Sequence, residues 1–412
     1  MHRSGTVHFS LCIFLLVAVC SGCSAVKARD ESVAPEVQQS QPADILKPSV
    51  DTMVKQKQTR LARTKLKATQ SNKAAVTTRP TMTQPVRGIY VSGWVAGDKK
   101  QMAKLVRLVD RTDLNTMVID VKNDYGNVTY RSQVDEVKAI GADVNPAIPN
   151  IKGLLAQLKA KNIYTIGRVV AFKDPYYAKK RPTMALQKKT GGVWKDKQGN
   201  LWLDPYQAKV RSYNIAIARE AAELGFDEIQ FDYVRFPDNG AKVNRQVRFA
   251  PTGGKNKPAI IGTFLQEARL QVHQAGAKLS ADVFGLVTSS KDDMGIGQTW
   301  RSIASTVDVI SPMTYPSHYS SGTYGIHNPD LSPAAIIRQA MADAKKGNAT
   351  LTTIGLQPAQ IRPWLQSFTA TWIEPHQHYG ANQIQSQINA ARKQGVTQFL
   401  LWNSECKYDY RS

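Results

Sequence analysis

The chain predicts an α/β protein whose main body is a (β/α)8 TIM barrel. Three observations carry that expectation. Eight β-rich runs alternate with seven helix-patterned segments over about 320 residues from Val86 onward, the rhythm and length of such a barrel. The first strand is followed by "YVSGWVAGDKK" rather than a Gly-rich G-x-G-x-x-G turn, the usual mark of the competing doubly wound open sheet. Polar side chains also recur on one face of neighbouring strands, where a barrel needs them if its mouth does chemistry.

The barrel does not begin at the N-terminus. "MHRSGTVHFSLCIFLLVAVCSGCSAVKA" has a basic start, an apolar run from Phe9 to Cys20 and small residues after it. That is the layout of an export signal, and the run is too short for a comfortable membrane span. Ser21-Gly22-Cys23 resembles a bacterial lipobox, in which Cys23 would be lipidated and anchor the chain to a membrane. Cleavage after Ala25 or Ala28 is the alternative. Residues 1–23 are therefore read as a signal peptide and residues 24–86 as a tether. The tether has no Phe, Trp or Tyr and carries eleven Lys or Arg against five Asp or Glu, so it cannot bury enough apolar surface to offset its ordering entropy. Three of the four cysteines fall in the signal segment, which excludes a disulfide framework and a Cys-based zinc site; Cys406 is expected to be a packed thiol.

A net charge of +22 draws the chain to anionic surfaces. An exported protein meets no genome, so nucleic acid is not an expected partner. Anionic wall polymers, lipid headgroups and acidic glycans are.

Residues 87–412 supply the barrel. Its strand candidates are "RGIYVSGW", "TMVIDVKND", "YTIGRVVAF", "DEIQFDYVRF", "KLSADVFGL", "DVISPMTY", "AQIRPWLQSF" and "TQFLLWNS". Helical patterns lie between them, "SPAAIIRQAMADAKKG" for one, several closed by the Gly or Asn that helix C-termini prefer. "APTGGKNK" lacks the spacing and the Ser or Thr of a phosphate loop.

Side chains alternate along a strand. In the fourth run Glu228, Gln230 and Asp232 share a face opposite Ile229, Phe231 and Tyr233. In the second, Asp120, Lys122 and Asp124 oppose Met117, Ile119 and Val121; in the fifth, Ser280, Asp282 and Phe284 oppose Leu279, Ala281 and Val283. Only the last residues of barrel strands reach the open face. Asp232, Asp282, Asp120 and Lys122 are expected there, while Glu228 belongs to the base of the core. The long segment from Phe172 to Gln207 adds Tyr176, Tyr177, Trp194 and Trp202 to the rim as a candidate aromatic sugar platform. A purely structural Asp–Lys–Arg network is the competing reading of the inward charges.

With "GFDEIQFDYVRFP", "TMVIDVKNDYG", "RVVAFKDP", "LSADVFG", "ISPMTYPSHY", "IRPWLQSF" and "LLWN" occurring in order, the chain from about Val86 onward resembles a bacterial family of glycoside hydrolases, of undefined substrate, whose TIM barrel is related to the α-amylase superfamily. The resemblance implies a nucleophile at the end of the fourth strand, which is Asp232. It implies a Glu acid/base at the end of the fifth, where this chain has Asp282; Asp120 and Glu405 remain alternatives for the acid. The Arg expected two positions before the nucleophile is replaced by Gln230.

Glycoside hydrolysis needs two carboxyl groups across the scissile bond. Neighbouring strands lie about 4.8 Å apart, so Asp232 and Asp282 are expected to approach the roughly 5 Å of a retaining pair. Arg235, Lys122 and Arg168 are candidates to keep Asp232 ionised or to hold an acidic sugar, and Asp120 to contact substrate. Tyr233, Tyr315, His318, Trp364 and Trp402 are candidate subsite residues. His318 has no second ligand at metal spacing, so neither a metal nor an organic cofactor is expected. The function expected is hydrolysis of a cell-wall or extracellular polysaccharide. Its competitors are a non-catalytic glycan-binding envelope lipoprotein on the same fold and a barrel aldolase using Lys122.

Overall fold

The computed structural model describes residues 84–411; the signal segment, Cys23 and nearly all of the predicted tether lie outside the described residues. The eight predicted strands are all present. They are β1 (Arg87–Val91), β2 (Thr116–Lys122), β3 (Tyr164–Val170), β4 (Glu228–Asp232), β5 (Lys278–Phe284), β6 (Val309–Met313), β7 (Gln360–Ile361 and Trp364–Gln366) and β8 (Phe399–Trp402). Each pairs in parallel with the next, and β8 pairs with β1, so the sheet closes. Closure removes the unpaired edges that an open sheet would expose. β7 is broken at Arg362-Pro363, since proline has no N–H for the ladder, and Arg362 turns inward to Glu228.

Seven principal helices cover the barrel: α1 (Lys99–Asp110), α2 (Ile151–Ala160), α3 (Ala208–Leu224), α4 (Lys257–Gln274), α5 (Trp300–Ala304), α6 (Pro333–Thr353) and α7 (Ala381–Lys393). Four of them start from a capping side chain. Asp98 accepts the Gln101 N–H ahead of α1, Asn150 that of Gly153 ahead of α2, and Asn256 that of Ala259 ahead of α4. α1 buries Met102, Leu105 and Val109, one apolar stripe at helical spacing.

Three expectations change. α6 was expected to stop at Gly347, yet it continues to Thr353. Gly347 is there for packing: a Cβ would meet the Trp300 ring at 2.6 Å. The first run was expected to be strand through Trp94, but Ser92 caps a helical turn at Gly93–Gly97 instead. The third change is in β2, where the register against β3 shifts between Asp120 and Lys122. The extra residue of a bulge breaks the alternation of faces. Lys122 therefore leaves the lumen, and its Nζ donates to Asp174 Oδ2 at 2.8 Å and to Asn214 Oδ1 of α3 at 2.7 Å.

The long loops after β3 and β4 are tied together. Gln187–Lys188 pairs antiparallel with Val247–Arg248, and Trp194 Nε1 donates to Gln246 Oε1 at 3.0 Å. They form one wall beside the β3–β4 side of the mouth.

Candidate active site

The lumen is built in layers. At its base Arg362 Nη1 donates to Glu228 Oε1 at 2.8 Å with both side chains buried, so Glu228 serves the core. Above it Gln230 donates to Ser311 Oγ at 3.1 Å. The next layer is organised by Arg168 of β3, 1% exposed. Its five N–H bonds reach Asp232 Oδ2 from Nε (3.0 Å) and Nη2 (2.7 Å), Asp120 Oδ1 from Nη1 (2.8 Å), and Asp124 Oδ2 from Nη1 (3.1 Å) and Nη2 (3.0 Å). The guanidinium also lies 5.3 Å from the Trp402 ring centre and 5.6 Å from that of Tyr90. Burial works against a cation here, but Asp124, Asp232 and Asp120 together outweigh it and raise the Arg168 pKa well above its ordinary value.

These partners also divide the acids. Burial raises the Asp120 pKa against the opposing pull of Arg168; Tyr90 Oη donates to its Oδ2 at 2.7 Å. Burial alone would raise Asp124 too, but Arg168 and Lys173 prevail and hold its carboxyl below the usual range.

Asp232 and Asp282 share one pocket of about 330 Å3 that also takes in Asp124, Arg168, Arg235, Trp364 and Trp402. The register pairing Phe231 with Ala281 brings Asp232 level with Asp282 one step on. Their surroundings differ. Asp232 accepts the two bonds from Arg168 and a third from the Tyr233 N–H at 2.6 Å. Asp282 is 2% exposed and accepts one bond, from Trp364 Nε1 at 2.8 Å. Burial, reinforced by the charge of Asp232, raises the Asp282 pKa well above the ordinary carboxyl value. Asp232 is thus bonded to a cation, whereas Asp282 is pushed toward its protonated form.

Strand parity alone puts Tyr233 with Ile229 and Phe231 opposite Asp232, yet, as expected of a subsite candidate, it lines the pocket. Its φ of +49° is left-handed, costly for a bulky residue, and reorients the side chain after the strand ends. Lys173 Nζ lies 4.5 Å from its ring centre. Arg235 stacks on Phe284 at 4.3 Å and Trp202 at 5.0 Å and is bonded to the exposed Asp238. Tyr315 is buried at the pocket wall, its pKa raised by burial and then by Asp282 and Asp232. His318 stands at the rim, crowded by Tyr315, Phe368 and Trp372, and burial lowers its pKa.

Of the predicted site residues, Asp232, Asp282, Arg168, Tyr233, Arg235, Tyr315, His318, Trp364 and Trp402 meet in this pocket. Three others do not line it. Lys122 lies behind the bulge with Asp174, so neither a substrate contact nor a Schiff base is open to it there. Asp120 supports Arg168 from below. Glu405 is exposed and paired with Lys407 at 2.8 Å. The aromatic platform expected after the third strand is not one either: Tyr177, Trp194 and Trp202 are buried, and Tyr176 donates to Gly141 O at 2.8 Å. Tyr319, read from the sequence as one of the rim aromatics beside Tyr315 and His318, lines the pocket as well. Asp124, Phe284 and Met313 also line it and were not singled out as site residues; inward parity marks Asp124 and Phe284 in the sequence, and nothing there marks Met313.

The family model described as "Putative glycosyl hydrolase domain" matches residues 88–408. No protein of curated function matches the chain. Among solved structures, a hypothetical protein from Ruminiclostridium thermocellum ATCC 27405 is 42% identical over 47% of this chain and 97% of its own, with a TM-score of 0.44. The PgaB (BpsB) glycoside hydrolase domain from Bordetella bronchiseptica is 13% identical over 78% of this chain and 95% of its own, with a TM-score of 0.53, a likeness of fold. The chitobiase of Flavobacterium johnsoniae is 10% identical over 79% of this chain and 45% of its own, with a TM-score of 0.49. With residues 88–408 under the family model, the chain belongs to this glycosyl hydrolase family and is a glycoside hydrolase on a (β/α)8 fold.

Proposed function

We propose that the protein is an exported, envelope-associated glycoside hydrolase that cuts a cell-wall or extracellular polysaccharide with Asp232 and Asp282. The observation that carries this reading is the pair itself: two carboxyl groups in one pocket, one gripped by Arg168 and the other desolvated beside it. Asp232 attacks the anomeric carbon, and a C–O bond forms as the glycosidic C–O bond breaks. Asp282 gives its proton to the departing oxygen. A water then attacks the same carbon, returns a proton to Asp282 and releases Asp232. Trp364, bonded to Asp282, fixes the acid's direction, while Tyr233 and Trp402 offer ring faces to the sugar.

Export rests on the apolar run from Phe9 to Cys20 and the Ser21-Gly22-Cys23 motif. The basic tether, where it emerges, would lie along an anionic surface. The reading is tested by incubating the purified protein with peptidoglycan sacculi and with neutral and acidic exopolysaccharides, measuring reducing ends released alongside the fraction bound. Release from one of them is the expected result. Saturable binding without release would favour a glycan-binding protein instead.

A further inference from the structure

Resting on that reading of the pocket, we infer that the mouth continues into an open aromatic track holding the flanking sugars of a polysaccharide built from equatorially substituted pyranoses. The three most exposed large apolar side chains among the described residues are all aromatic: Tyr125 at 71%, Trp94 at 66% and Trp372 at 66%. All three sit on segments that leave the C-terminal ends of barrel strands: Trp94 after β1, Tyr125 after β2 and Trp372 after β7. In the closed barrel β7, β8, β1 and β2 are consecutive, so these segments occupy one continuous side of the rim. The other side is walled by the tied loops after β3 and β4.

At Trp372 the track meets the pocket. Trp372 lies nearly parallel to Phe368, with ring centres 5.8 Å apart and planes 16° apart. Both meet His318 edge-on, at 6.5 and 6.1 Å, and His318 lines the pocket. Tyr125 directly follows Asp124, another lining residue. Between the two ends, Trp402 of β8, which lines the pocket, packs on Tyr90 of β1 at 4.2 Å, and Trp94 follows three residues after that strand's end.

One exposed ring is ordinary, but three aromatic rings gathered on one side of a site's rim form the kind of surface that a ligand covers. A pyranose with equatorial substituents presents flat C–H faces that suit such rings, and a chain of them presents one face after another. A pocket of about 330 Å3 takes only a small part of such a chain; the open aromatic side accommodates the rest. The protein then acts within or along a polymer rather than on a free terminal sugar alone.

The test uses the Asp232→Asn protein, so that ligands survive, and calorimetric titration with cellohexaose and N-acetylchitohexaose beside their disaccharides. The expected result is tighter binding of one hexasaccharide than of its disaccharide, by about two- to tenfold per engaged ring. Trp372→Ala and Trp94→Ala in the same background, with folding checked by circular dichroism, should each reduce that advantage. Equal affinity for the two lengths, no hexasaccharide binding, or an advantage untouched by both substitutions overturns the inference. So would a dimer that Trp372→Ala dissolves, which would give the patch to a second copy of the chain. A wild-type protein that binds with this length dependence but releases no reducing ends would instead defeat the hydrolytic reading alone.

Discussion

At the residue scale, Asp232 and Asp282 stand level on adjacent strands and differ in what surrounds them. Replacing Asp282 by Asn removes the proton donor and should lower kcat/KM by about 10^2- to 10^4-fold, with a smaller loss on substrates whose leaving group needs no proton. In the wild type, activity should fall as pH rises through the raised Asp282 value and the acid is lost. Stability follows the same sign. The native protein keeps this proton at pH values where the unfolded chain has released it, so the contribution is fully present below about pH 4 and is lost as pH rises through the native value. The melting temperature of Asp282→Asn minus that of wild type should therefore grow from acid to alkaline pH; a constant difference would contradict the desolvated acid. Strand parity was enough to bring both carboxyls to the mouth from sequence alone. It misplaced Tyr233, because a positive φ after a strand leaves no mark in the residue pattern.

At the element scale, hydrophobic alternation and capping residues made all eight strands and seven helices legible, since each buries a periodic apolar face that composition reveals. Packing between elements was not legible. Gly347 looks like a helix end until Trp300 is seen against it, and Gly347→Ala should destabilise the fold by about 1–3 kcal/mol through overpacking, measured by urea unfolding. The bulge after Asp120 was equally hidden, because inserting one residue into a ladder needs no special side chain. Its consequence is the buried Lys122–Asp174 pair. Lys122→Met leaves Asp174 uncompensated and should cost about 3–5 kcal/mol. Adding Asp174→Asn, which keeps an oxygen to accept the Tyr177 N–H, should recover part of that loss. A Lys122→Met protein as stable as wild type would show that the pair is not a structural device.

For the whole molecule, a closed barrel gathers residues distant in sequence into one pocket, from Asp124 after β2 to Trp402 in β8, while loops fix how that pocket opens. The barrel could be read from rhythm; the loops could not. The aromatics after the third strand join the main core, Tyr177 stacked on Tyr213 and Trp202 edge-on to Tyr233, whereas Trp372, in a stretch with no distinctive pattern, remains exposed. At the other end of the chain, Cys23→Ala should move the full-length protein from the membrane fraction to the soluble fraction of fractionated cells if the lipobox is used.

The claim that two acids at one barrel mouth cut a glycosidic bond is tested most directly by comparing wild type with Asp232→Asn on whichever polysaccharide yields reducing ends. The Asn protein should keep its circular dichroism spectrum and bind the polymer, with turnover lower by on the order of 10^4-fold. Turnover within a fewfold of wild type would contradict the claim.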